Sequence, residues 1–397
     1  MTARDRRMHG RWTRSWIDGI RRGGSAAVGL VALATAVSAA VGATGAPDDM
    51  PERLRNRLIK RVAQVEVGFP LTRGFAMRVE IPGVGSFSHA EGSSDPFGLE
   101  PLEVDDILRM ASVTKTFAAV AVLKLVDLGL VGLDEPVVKF VPDCPNGADI
   151  TVRDLLGMTS GLASYTDQPE LLTAALLDPS GFREEAVVAG ICALEPDAAP
   201  GSERVYNNSG YYLLGPIIED VTGEPWQAWV HANVTAPLGL SDTVMPVEPT
   251  LPERAVAGWF HLEAPPRVGL GPWWDLSTLH PDYAGTAGCG YSTLADLSRW
   301  LDALLSGALL APKTHAAQFT LEPIDDDEYE AYGLGVARFG PWVGHTGVTL
   351  GSYAWMLEHE PTGARLIAFV ECGSAPPHID LDGIARDLSN WPRLTAD

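Results

Sequence analysis

The sequence predicts an α/β fold, an antiparallel sheet flanked by helices in a sandwich, with an all-helical domain inserted into it. Three observations carry this reading. An alternating strand pattern stands near the start of the chain, strand patterns separated by Gly and Pro fill its last third, and the stretch between reads as helical pieces broken by Pro and Gly. Strands at both ends require one sheet assembled from both ends. The boundaries expected are 51–135 together with 285–397 for the sheet domain and 136–284 for the mainly helical domain. The cleft between two such units is a favoured place for a small molecule.

The elements follow in order. Arg53–Val67 spaces apolar residues as a helix does, and Phe75–Ile81 alternates like a half-buried strand that ends at Pro82-Gly83. A turn is expected around Glu91–Asp95. Val113–Leu130 is an apolar helix closing at Gly129, with Ser112 where an N-cap residue belongs. Helical pieces follow at Val152–Met158, Glu184–Leu194, Tyr211–Thr222 and Leu294–Leu305. Strands are then expected at Tyr332–Phe339, Val343–Leu350, Ser352–Glu358 and Ala364–Cys372, and a last helix at Ile379–Trp391.

Composition narrows the function. A chain of 397 residues with 46% hydrophobic side chains can bury a large core, which excludes disorder and fibres. Residues 1–46 hold seven Arg and two Asp, leaving 22 basic against 49 acidic side chains in the remainder. Such an acidic surface repels phosphate backbones, so nucleic acid is not an expected partner. The first 46 residues run from an Arg-rich stretch ending at Arg21-Arg22, through the small apolar run Ala26–Val41, to Ala43-Thr-Gly-Ala46. That order reads as an export signal, with a secreted or cell-envelope location and no stable membrane span once it is removed. Cys144, Cys192, Cys289 and Cys372 form no CxxC, so zinc and thioredoxin-type readings lose their main support, and both disulfides and free thiols stay open.

Three short motifs carry chemistry. Ser112-Val-Thr-Lys115 places a hydroxyl at a helix start and an amine one turn later on the same face. A serine needs a base to become a nucleophile, and a helix N-terminus favours the oxyanion that forms. With 21 Ser and 5 Lys in the chain, such a match arises by chance about once in four sequences of this kind. The chain uses Arg for 24 of its 29 basic side chains, yet the residue paired with Ser112 is a Lys. Only Lys can be desolvated into a neutral base, because Arg stays protonated. Tyr206-Asn207-Asn208 leads into an apolar helix, where a phenol can relay protons and Asn208 can hold both an amine and a substrate carbonyl; the plain alternative is a surface turn. His345-Thr346-Gly347-Val348 lies on an expected strand, where glycine lets another backbone approach and His and Thr can donate to a carboxylate or carbonyl; the plain alternative is a structural His.

The order of these motifs resembles the penicillin-recognising serine hydrolases, specifically class C β-lactamases and the related DD-carboxypeptidases and esterases. The resemblance extends to Thr151-Val-Arg-Asp-Leu-Leu156, Thr159-Ser-Gly-Leu162, Pro237–Thr243, Gly288–Leu297 and Tyr332-Gly-Leu-Gly335, over roughly residues 55–390. It implies a β-lactamase/transpeptidase-like fold, acylation of Ser112, Lys115 as base, proton relay by Tyr206 and substrate orientation by Asn208. It further implies an oxyanion hole from the N–H groups of Ser112 and Val348, and substrate-carboxylate contacts from His345 and Thr346. His-Thr-Gly replaces the Lys-Thr-Gly of most β-lactamases of this kind, which resembles the carboxypeptidase branch and some esterases more than the β-lactamases. That branch bears an Arg after Tyr-Gly-Leu-Gly to anchor a terminal carboxylate; Arg338 stands one residue beyond that place, an offset that turns a strand side chain to the other face. Gly157-Met158 replaces a His before Thr-Ser-Gly-Leu.

The expected function is therefore that of an exported, monomeric serine hydrolase working through a Ser112 acyl-enzyme on a small peptide, β-lactam or ester. D-alanyl-D-alanine carboxypeptidase activity comes first, β-lactamase or esterase/amidase activity is the alternative, and a silent penicillin-binding-type module is the non-enzyme reading. No Ser-Asp-Asn, Gly-x-Ser-x-Gly or HExxH motif supports a class A β-lactamase, an α/β-hydrolase or a metalloenzyme, and neither cofactor nor metal is expected.

Overall fold

The computed structural model describes residues 50–68, 72–177, 182–261, 273–372 and 380–394. The expected export signal at 1–46 lies outside them. The strands in chain order are β1 (Thr72–Ile81), β2 (Gly85–Gly92), β3 (Leu108–Arg109), β4 (Trp259–His261), β5 (Trp273–Asp275), β6 (Tyr291–Ser292), β7 (Glu322–Pro323), β8 (Ala331–Tyr332), β9 (Ala337–Phe339), β10 (Trp342–Thr349), β11 (Ser352–His359) and β12 (Ala364–Cys372). Eight of them form one antiparallel sheet in the order β2-β1-β12-β11-β10-β9-β8-β7. The two ends of the chain meet between β1 and β12, where Phe75 faces Val370 and Val79 faces Leu366. β2 escaped the sequence reading because Gly-Ser-Phe-Ser-His-Ala-Glu-Gly offers one large apolar residue and no branched one. The expected strand Tyr332–Phe339 is instead β8 and β9 joined by a tight turn closed by Gly333 N–H donating to the Val336 carbonyl at 2.8 Å.

The helices Glu52–Gly68 and Leu381–Leu394 pack together at the margins of the chain, with Arg57 and Arg61 both reaching Asp387, at 2.8 and 3.0 Å. The helix Leu294–Ser306 lies on β1, β11 and β12, and carries Trp300, whose ring stacks on Phe117 at 4.1 Å and whose indole N–H donates to Thr116 Oγ1 at 2.7 Å. These contacts fix the Thr114–Asp127 helix, which is buried from Thr114 to Leu123 on every side. A helix apolar all round belongs in a core rather than at a surface. It touches β10's neighbouring turn on one side and the helices Leu214–Thr222 and Trp226–Val230 on the other, so one continuous apolar cluster joins the sheet to the middle of the chain.

That middle consists of short helices, among them Val152–Leu156, Glu184–Ala193 and Asn208–Tyr212, with the small ribbon β4–β5, which the sequence reading missed. The expected helix Tyr211–Thr222 begins three residues earlier and is interrupted at Leu213, because Asn207 caps it by accepting from Gly210 N–H at 2.8 Å. Among the described residues no helix is long and apolar enough to cross a membrane. Cys144, Cys192 and Cys289 are free thiols, while the side chain of Cys372 is outside what the structure describes.

Candidate active site

One helix start organises the site. Ala111–Val113 form a 3-10 turn running directly into Thr114–Asp127, which brings Ser112 and Lys115 to the same side. The plain alternative for Ser112, a helix cap, does not hold. No side-chain cap bond forms at either helix start, and Lys115 Nζ lies 3.0 Å from Ser112 Oγ. Ala111 holds the turn in the left-handed region at φ +47°, a conformation costing an L-residue about 1–2 kcal/mol. The strain points to a turn whose shape is imposed by its surroundings.

β10 supplies part of that imposition. A Cβ at Gly347 would fall 2.2 Å from the Met110 carbonyl oxygen and 3.1 Å from Ser112 N, so the strand passes directly against the turn. The backbone that this glycine admits is thus the protein's own, at Met110–Ser112. The contact also puts the Gly347–Val348 backbone beside Ser112 N–H, one of the first-turn amides that a helix leaves without an internal acceptor. Gly347→Ala is expected to displace the turn, lowering stability by about 1–3 kcal/mol and kcat/KM by at least about tenfold. Thermal unfolding and steady-state kinetics on one preparation check both.

Lys115 is fully buried, and its Nζ lies 2.7 Å from Asn208 Oδ1, 2.7 Å from the Ala287 carbonyl and 3.0 Å from Ser112 Oγ. Loss of hydration holds its pKa well below the ordinary lysine value. The geometry then assigns the hydrogens. A neutral amine has two N–H donors and one lone pair; the amide oxygen and the carbonyl can only accept, so they take the donors. The lone pair is left facing the one neighbour that has a proton to give, Ser112. Asn208 is itself oriented by Nδ2 donating to Thr166 Oγ1 at 3.1 Å.

Tyr206 closes the other side. Its ring lies 5.0 Å from Lys115 Nζ, and its phenol oxygen is buried close enough to Ser112 for the serine hydroxyl to bear on its acidity. Burial pushes that phenol well above its usual value, more than the Ser112 hydrogen bond pulls it back, so the group stays protonated and is placed to act as an acid. Tyr206→Phe is expected to slow acylation by about 10²–10⁴-fold. The loss should be larger for amides than for activated esters, which need no proton on the leaving atom, as burst kinetics with both substrate types would show.

The third motif departs from expectation. His345 is fully buried, with Nδ1 at 2.5 Å from the Thr346 carbonyl and Nε2 at 2.9 Å from Tyr332 Oη. Burial, with the nearby Lys115 adding to it, holds its pKa down at about 3, so the ring is neutral with Nδ1–H donating and Nε2 accepting. A ring so engaged packs among Tyr206, Tyr329 and Tyr332 with both nitrogens taken, and the expected His345 contact with a substrate carboxylate is corrected accordingly. Thr346 is turned to Tyr329 Oη and Glu328 Oε1, each at 2.9 Å. Val348 exposes its side chain beside the turn. Arg338 is corrected too. It forms a two-pronged pair with Glu360 at 2.5 and 2.9 Å, at the end of the sheet where Trp342 pairs with His359, away from Thr346 and Val348. A shallow recess lined by Arg109, His280, Tyr283, Gly288, Tyr291 and Thr349 lies next along the chain from Ala287 and Val348.

Three participants carried no recognised signal in the sequence, and a fourth, Tyr332, stood in a noted motif without a role. Ala287 contributes only a backbone carbonyl, which no side-chain pattern announces. Thr166 and Tyr332 act by orienting Asn208 and His345. Glu328 belongs to the acidic run Asp325–Glu328, whose composition was a readable signal.

Known proteins match this arrangement. A family profile described as Beta-lactamase covers residues 73–368. The chain belongs to the beta-lactamase family. Among its relatives, the D-alanyl-D-alanine-carboxypeptidase/endopeptidase AmpH of Escherichia coli K12 is 27% identical over 264 residues, which are 62% of this chain and 64% of that protein. Esterase EstB of Burkholderia gladioli is 33% identical over 168 residues, 39% of this chain and 43% of its own length. The matches therefore span less than two thirds of either relative. Among solved structures, the D-amino acid amidase of Ochrobactrum anthropi SV3 superposes with a TM-score of 0.74 at 28% identity, over 86% of this chain and all of that one. This beta-lactamase family chain has the antiparallel sheet and flanking helices of that fold.

Proposed function

We propose that the chain is an exported serine amidase or esterase that transfers the acyl group of a small substrate to Ser112 and then to water. The observation that carries the reading is the environment of Lys115, a buried amine with its pKa held well down, two of whose three neighbours can only accept and whose third is the serine hydroxyl. Ser112 Oγ adds to the substrate carbonyl carbon as its proton passes to Lys115 Nζ. The bond to the leaving nitrogen or oxygen breaks as Tyr206 gives that atom its phenolic proton and recovers one from the Lys115 ammonium. Water then attacks the acyl carbon by the same route in reverse, freeing the acid and Ser112. N–H donors of Ser112 and Val348 would hold the oxyanion, each commonly worth about 3 kcal/mol.

Two features favour an amidase or esterase over the carboxypeptidase that headed the sequence expectations. The cations that would anchor a terminal carboxylate are a neutral, buried His345 and a distant, paired Arg338. The fold similarity to a D-amino acid amidase supports the same choice. Intact-mass analysis over time tests it, with a phenyl ester, a D-amino acid amide and benzylpenicillin as separate substrates. An acyl adduct on Ser112 with turnover of the ester and amide is the expected result. A stable penicilloyl adduct with no amide or ester turnover would return the reading to a DD-peptidase, and no adduct with any of the three would overturn acyl transfer altogether.

A further inference from the structure

The resemblance places Thr346 where a substrate carboxylate would sit, yet the structure puts Glu328, itself a carboxylate, at that place. A threonine hydroxyl has one proton. Here Thr346 Oγ1 donates it to Glu328 Oε1, and Tyr329 Oη, which also meets Thr346 Oγ1, must then be the donor in that contact. The chain of donors runs from Tyr329 through Thr346 into Glu328, so Thr346 has nothing left to offer an incoming anion.

Glu328 is held in place and reachable. Its backbone N–H and that of Tyr329 both donate to Asp326 Oδ1, at 2.8 and 3.0 Å, fixing the turn that presents it; the residue as a whole is exposed, while its carboxyl end is turned in onto Thr346. Its charge reaches the chemistry, since Glu328 and Asp326 both push the Tyr206 phenol upward. The Tyr206 and Tyr329 rings pack against each other at 5.2 Å, which links Tyr206 to the residue next to Glu328. Loss of hydration pushes the Glu328 carboxyl up to about 7, the Thr346 bond pulling the other way and Asp326 adding to the push, so it is ionised in mildly alkaline solution. Nothing balances it from the motif residues: His345 is neutral, Lys115 is neutral and Arg338 is bound to Glu360.

We propose that Glu328 is a specificity residue, making the Thr346 end of the cleft accept a leaving portion that carries a positive charge and reject one that carries a carboxylate. This rests on the acyl-enzyme reading above and names the substrate class for it. A carboxylate brought against Glu328 meets like charge at short range, whereas a cation supplies the counter-charge the site lacks.

Three phenyl acetates that differ only at the para position test this at pH 8: trimethylammoniomethyl, methyl and carboxymethyl. The expected kcat/KM falls in that order, with at least about thirtyfold between the cationic and anionic esters. Glu328→Gln keeps the hydrogen-bond partner of Thr346 and removes the charge, so the cation-to-anion ratio should collapse towards one. Glu328→Asp should retain the order, which a merely structural role would not produce. A ratio near one in the natural enzyme, or an unchanged ratio in Glu328→Gln, overturns the proposal while Ser112 acylation by the methyl ester keeps the acyl-enzyme reading intact. If none of the three esters acylates Ser112, both readings fall.

Discussion

Lys115→Arg is expected to cut the rate of Ser112 acylation by at least about 10³-fold. The natural lysine is buried without a carboxylate partner, and loss of hydration is what holds its pKa far below normal. Arg cannot follow it into the neutral state, so the lone pair that faces Ser112 disappears. The larger, permanently charged group must also enter a space closed by Asn208, Ala287, Tyr206 and Tyr211, where only ring faces at 5.0 and 5.7 Å soften the charge. Lys115→Met keeps the volume without a proton-binding atom and should be equally inert while folded, which separates chemistry from misfolding. The pH dependence of the natural enzyme has a definite sign. Depression of the pKa means the amine is neutral above that lowered value, so acylation should rise with pH and level off well below the ordinary lysine range. Near-normal single-turnover rates in Lys115→Arg would remove the amine from the role of base.

Ser112→Ala should lower turnover by about 10⁵-fold or more and abolish every covalent adduct. The fold should survive, for a stated reason. A neutral Lys115 still has both of its acceptors, Asn208 Oδ1 and the Ala287 carbonyl, so no donor is orphaned when the hydroxyl goes. The melting temperature should therefore move by no more than a few degrees, equivalent to about 1 kcal/mol. Because binding outlives chemistry in this variant, titration with uncleaved substrate would give its affinity directly. An adduct persisting on Ser112→Ala would place the nucleophile on another residue.

The catalytic grouping was largely legible because it depends on side-chain identity at helical spacing. Ser112 and Lys115 had to share a face, and Tyr206 and Asn208 were noticed because two polar side chains precede an apolar helix. What remained hidden depends on directions in space. The sequence could not say that both nitrogens of His345 are spent on Thr346 and Tyr332, nor that Arg338 turns to Glu360. β8 and β9 look like one strand in sequence because the tight turn at Gly333–Val336 sits inside an apolar run. Glu328 was overlooked because an acidic run is usually a solvated surface, and only the fold reveals that this one ends on Thr346.

The pairing of β1 with β12 also sets a timetable. Phe75 and Met77 find their neighbours Val370 and Ala368 nearly 300 residues further along, so the central pairing of the sheet cannot close until almost the whole chain has been made. Until then β1 and β2 are a lone hairpin, marginal in water, and β10 has no finished sheet to brace it against the Ser112 turn. Such long-range closure is slow, because the entropy of bringing distant segments together is lost before their contact repays it. A chain in this state has no braced Ser112 turn and hydrolyses nothing. Competence arrives with β12, which makes the docking of that strand on β1 the step that arms the site.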